Sequence, residues 1–182
     1  MSFTPVQKFN MWFVRPCEAL RNAGNTGPDE PQDGAFIALS VALYLFERYY
    51  RIESGSQEDS KATKLLAHAS QDLDLNTDFL TVFWSTYRHG LLHQGQPKSH
   101  TYDGRKYTWR IDGSYQKLPT EFVKDDIHYI CINPWLFLDL VLDLCRTKPT
   151  TLEGIVAYQF GGIFPAENEP LHQQPRYGQP YP

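Results

Sequence analysis

The run at 83–98, FWSTYRHGLLHQGQPK, ends an apolar stretch with an arginine, two histidines and a glycine: Arg88, His89, Gly90 and His93. Three kinds of chemistry suit these residue types. Cations near a helix C-terminus offset the negative end of the helix dipole, and Gly90 or Gly95 is suited to stopping the helix. His89 and His93 stand at i and i+4, so one helix face could offer two imidazoles to zinc, with His100 or an aspartate as a further ligand. No H-E-x-x-H sequence or cysteine partner accompanies them, and no metal is expected here. The third chemistry is anion binding. Between 85 and 111, Arg88, Lys98, Arg105, Lys106 and Arg110 face only Asp103, whereas between 53 and 78 Glu53, Glu58, Asp59, Asp72, Asp74 and Asp78 outnumber Lys61 and Lys64. Any bound anion belongs in the 85–111 window.

Five helices and a small β unit must position these residues. A helix over roughly 4–22 is apolar at Phe9, Trp12, Phe13 and Leu20 and interrupted by Pro16. A polar loop, 22–34, leads to a second helix at about 34–52 that is apolar on nearly every side until Glu47, which places it at the centre of a bundle. A third, about 57–74, is a surface helix. The fourth begins at Asn76 or Thr77, either of which can cap its first turn. On this helix Leu80, Phe83, Trp84, Tyr87 and Leu91 form the core stripe, and Arg88 and His93 lie roughly 140° apart at ideal helical geometry. They reach one pocket only across a symmetry axis, or if the helix relaxes near Gly90. After Pro97, two aspartate-glycine pairs, Asp103-Gly104 and Asp112-Gly113, signal hairpin turns around KYTWRI, and 127–132 joins them in a meander. A last helix starts at Asn133-Pro134 and runs to about Lys148.

The expected architecture is therefore mainly α: an up-and-down bundle of four to five helices with a β meander at about 99–132 before the last helix. One domain spans 1–164. The tail at 165–182 is rich in proline and glutamine and too poor in aliphatics to offset its ordering entropy. At 182 residues the chain can bury a core without staples. Cys17, Cys131 and Cys145, odd in number and widely spaced, indicate free buried thiols in a reducing compartment, hence the cytoplasm. The N-terminus shows no secretory signal, and the apolar runs 35–46 and 134–145 are too short to span a bilayer. A net charge of −4 excludes a general nucleic-acid coat but not a local basic site.

Arg88, four residues, then His93, on the fourth helix of such a bundle, resembles the R-x(4–6)-H motif of HEPN domains. The run FWSTYRHGLLHQG and the later INPWLFLDLVLDL helix are similar to small stand-alone bacterial members, and the likeness covers about 33–148. Glu47 is similar to an acidic residue often found late in the second helix. The resemblance implies a homodimeric, metal-independent endoribonuclease without cofactors, its two motifs lining one cleft, in a toxin or antiviral setting where an antitoxin or another protein partner is expected. A histidine can take the proton from the ribose 2′-hydroxyl while a second protonates the leaving 5′-oxygen, and Arg88 can grip the scissile phosphate with a planar fork that lysine cannot copy. The catalytic candidates are Arg88, His93 and His89; the substrate-binding candidates are Glu47, Lys98, Arg105 and Lys106. The alternative implied by the same likeness is a non-catalytic dimerisation or partner-binding module.

Overall fold

The computed structural model describes residues 3–24, 34–56, 62–113, 115 and 118–160, with the side chains of Leu92, His93, Tyr158, Gln159 and Phe160 excepted. Most of the 22–34 loop, the start of the expected third helix and the proline-rich tail at 165–182 lie outside the described residues.

In chain order the elements are α1 (Pro5–Phe9), α2 (Arg15–Gly24), α3 (Ala35–Glu53), α4 (Thr63–Leu73), α5 (Thr77–Trp84), α6 (Gly90–Gln94), β1 (His100–Tyr102), β2 (Arg105–Ile111), β3 (Thr120–Lys124), β4 (Ile127–Ile132), α7 (Pro134–Thr147) and α8 (Pro149–Phe160). Two wide π-turns interrupt the helices, Asn10–Val14 between α1 and α2 and Ser85–His89 between α5 and α6. The first has a plain cause. Pro16 lacks an N–H, so the ladder must lose a rung there, and the widened turn sits directly ahead of it with the Arg15 N–H bonded to the Asn10 carbonyl.

The core is built on α3, whose Ala38, Leu39, Ala42, Leu43, Leu45 and Phe46 are fully buried and which packs on α4, α7 and α8. The stripe expected on the fourth helix is the buried one, Leu80, Phe83, Trp84, Tyr87 and Leu91. Asn76 caps α5 by accepting from the Asp78 and Phe79 N–H groups, and Asn133 caps α7 through the Trp135 and Leu136 N–H groups. All three cysteines are free and buried, and burial pushes the Cys145 thiol up to about 12. Among the described residues no helix is long and apolar enough to cross a membrane.

The described residues are largely helical, as expected, but the expected minor meander is incorrect. The strands form a four-stranded mixed sheet in the order β1-β2-β4-β3, in which β2 and β4 run parallel. Asp103-Gly104 is a hairpin turn as expected, with both residues at positive φ, but Asp112-Gly113 is not. That pair instead opens a loop that crosses the end of β4 to reach the far edge. The Asp112 N–H bonds to the Ile132 carbonyl, and the Asn133 side-chain amide donates to the Gly113 and Tyr115 carbonyls, so the residue that caps α7 also staples the crossover. The second hairpin turn is Asp125-Asp126, at φ 52° and 58°, a left-handed pair that aspartate tolerates better than most residues and that carries no glycine to announce it. The helix α7 ends at Thr147, where the last helix was expected to stop, and a further helix that was not expected, α8, follows it and packs on α1, α3 and α7.

Candidate functional site

Arg88 and His89 sit on the π-turn between α5 and α6, and local packing explains why the helix widens there. The segment 96–98 crosses the helix at Gly90 so closely that a Cβ at Gly90 would meet the Gln96 carbonyl oxygen and the Lys98 nitrogen at 2.6 Å, and the Pro97 Cα at 2.7 Å. Only glycine fits under that backbone. The Thr86 carbonyl, turned out of the helical ladder, accepts the Lys98 N–H at 2.9 Å. One residue later, on the core side, the buried Tyr87 hydroxyl lies 2.6 Å from the Ile130 carbonyl and 3.0 Å from that of Arg110, docking the turn onto the parallel pair β2 and β4. Burial raises the Tyr87 pKa, so the hydroxyl keeps its proton and remains a donor. Helix relaxation beside Gly90 is thus present, and it aims Arg88 and His89 outward while Tyr87 anchors the backbone.

They are aimed into a cavity of about 530 Å³ between α3, α4, α5 and β1. Glu47 and Arg51 of α3, Arg88 and His89 of the π-turn, and Tyr102 of β1 line it, with Trp84 and Leu66 as apolar wall and Thr63, Thr77, Thr81 and Ser85 adding hydroxyls. Glu47 lies between two guanidiniums. Its Oε1 accepts from Arg51 Nε at 2.9 Å and Nη2 at 2.8 Å, and its Oε2 lies 3.0 Å from both Nε and Nη2 of Arg88. The Arg88 guanidinium also rests over the Trp84 ring, 5.7 Å from its centroid. The three charged side chains are 10–23% exposed, enough shielding to strengthen their interactions while leaving Arg88 open to the cavity.

The structure therefore brings Arg88, His89 and Glu47 together. His93 belongs to α6, one helical turn beyond His89, but its side chain lies outside the described residues. Lys98, Arg105 and Lys106 do not line the cavity: the Lys98 backbone pins the π-turn, and Arg105 and Lys106 are exposed on β2. Arg105 pairs with Tyr102 across the hairpin and so shares the sheet face of that cavity residue, whereas Lys106 points to the other face. Arg51 is a site residue that was not expected from the sequence. Its signal is nonetheless there, because Glu47 and Arg51 stand at i and i+4 in the favourable acid-before-base order. Among the described residues no three of His, Cys, Asp and Glu are grouped so as to hold a metal ion. Compared with protein-family models, with curated proteins and with solved structures, the chain matches none of them.

Proposed function

We propose that this protein is a metal-independent endoribonuclease of HEPN type that seats an RNA phosphodiester at the Arg88 cavity. One observation carries the reading: the Arg88 guanidinium stands at an open cavity beside His89, held in place by a carboxylate that a second arginine also grips. Such a clamp arrives at the substrate already ordered, so little is lost in fixing it when phosphate binds. In the reaction a histidine removes the 2′-hydroxyl proton, the 2′-oxygen bonds to phosphorus, and the bond to the 5′-oxygen breaks as a second imidazole protonates it. The products are a 2′,3′-cyclic phosphate and a 5′-hydroxyl. Arg88 neutralises charge gathering on the phosphoryl oxygens, and His89 and His93 are the proton carriers, one of them supplied by a second copy of the chain in a homodimer. The HEPN likeness supports this reading through the R-x4-H motif and its helix, not through the architecture, since the sheet departs from the bundle first expected. A cytoplasmic toxin or antiviral role belongs to the same proposal.

The test is RNA cleavage in EDTA. Wild type should yield cyclic-phosphate ends, and Arg88→Ala and His93→Ala should each lose on the order of a hundredfold or more in rate. Equal rates for wild type and both variants would end the proposal. One observation favours a second reading, a non-catalytic partner-binding module: Glu47 already occupies Nε and Nη2 of Arg88, as a purely structural brace would. Full RNA stability alongside an intact dimer would support it.

A further inference from the structure

The strand register divides the aromatic and basic residues of the sheet between its two faces. Along β2, Tyr107 and Trp109 turn to the helices, where Tyr107 is buried and Trp109 packs on the core. Lys106, Thr108 and Arg110 alternate with them and point the other way. On that outer face Thr108 stands opposite Tyr129 and Tyr129 opposite Phe122, while Lys106 and Lys124 flank Ile127 in the next row. The Tyr129 and Phe122 rings lie parallel, 5.0 Å apart with a 5° angle between planes, and both are half-buried rather than sealed. Arg110 reaches across β4 to bring its guanidinium carbon 5.9 Å from the Phe122 centroid. Lys106, Arg110 and Lys124 are exposed.

We infer that this outer face is a docking platform for single-stranded RNA, separate from the Arg88 cavity. A strand laid across the sheet along the Thr108–Tyr129–Phe122 row stacks a base against the ring and guanidinium surface and sets phosphates beside Lys106 and Lys124. Charge favours this occupant, because the strand residues of the face contribute cations and no carboxylate. Arg110 pairs with Asp112 at the far end of its strand, and the other acids nearby, Asp103, Asp125 and Asp126, sit in the two turns beyond the lysine row. They confine a polyanion to the middle of the sheet. A duplex cannot use the platform, since its bases are already stacked. The choice of RNA rests on the nuclease reading, but the platform is read by binding alone.

The test uses the full chain carrying Arg88→Ala, so that neither cleavage nor the cavity arginine contributes, and a fluorescein-labelled ten-nucleotide uridine RNA followed by anisotropy. Phe122→Leu with Tyr129→Leu should raise Kd roughly tenfold or more by removing base stacking. Lys106→Gln with Lys124→Gln, at exposed positions that leave folding alone, should lower the slope of log Kd against log salt by about 1.4, or about 0.7 for each phosphate that a lysine no longer neutralises. Unchanged Kd and slope in both double variants, or equal binding of the uridine strand and of a duplex, would overturn the proposal. A chain with Arg88 intact that binds this RNA but leaves it uncleaved would count against the nuclease reading only.

Discussion

Glu47 is the residue on which the site depends, because one carboxylate orders two arginines. Removing it leaves two guanidiniums facing each other in a shielded place, which costs about 2–3 kcal/mol when a partly buried pair loses one member. At about 2–4 °C per kcal/mol for a chain of this size, Glu47→Ala should lower the thermal midpoint by about 5–10 °C, and Glu47→Gln, which keeps an acceptor oxygen, by less. A midpoint unchanged in Glu47→Ala would show that the clamp is not ordered by this contact. His100 gives a second prediction. Its ring nitrogens are shut from solvent, and burial, helped by the charge of Lys98, lowers its pKa below the ordinary 6.5. With the folded pKa depressed, the unfolded chain binds the proton first, so stability falls as pH drops through 6.5 and below. Thermal unfolding between pH 7.5 and 5 should show this acid limb flattened in His100→Phe, whereas superimposable curves would remove His100 as its source. At this scale the sequence was partly legible. Arg88 and His89 were identifiable from residue type and spacing and Glu47 only through the HEPN resemblance, but the pairing of Glu47 with Arg88 across 41 positions leaves no local trace.

The elements show where sequence patterns suffice and where they stop. Periodicity and caps located α3, α5 and α7, since Asn76 and Asn133 act within three residues of themselves. The parallel pairing of β2 with β4 was not legible, because it depends on a crossover held by Asn133 some twenty residues from its partner carbonyl at Gly113, and Asp112-Gly113 carries the same dipeptide as a true hairpin. The π-turn at Ser85–His89 was foreseen only as a relaxation near Gly90, and its cause lies in the approach of a later segment. Gly90→Ala tests that cause. The added methyl would press on three backbone atoms with no flexible side chain to yield, so a loss of about 1–3 kcal/mol is expected from overpacking, together with weakened cleavage as Arg88 shifts. Wild-type stability and activity in this variant would mean that the close crossing does not shape the turn.

For the whole molecule, assembly meets the chemistry directly. If the phosphodiester is gripped by Arg88 of one copy and served by His93 of another, mixing inactive Arg88→Ala and His93→Ala proteins should restore activity through mixed dimers, each of which retains one intact composite site. Mixtures as inactive as their parts would place both groups in one subunit. The sheet gives the same molecule two unlike surfaces, an inner face that braces the π-turn through Tyr87 and an outer face of stacked rings and cations. The most direct measurement of the central claim is the single-turnover rate of RNA cleavage in EDTA for wild type, Arg88→Ala and Arg88→Lys at matched folded concentration. A cleaving wild type with both variants slowed on the order of a hundredfold is the expected result, lysine failing because a point charge cannot replace the planar fork; wild-type rates in Arg88→Ala would contradict it.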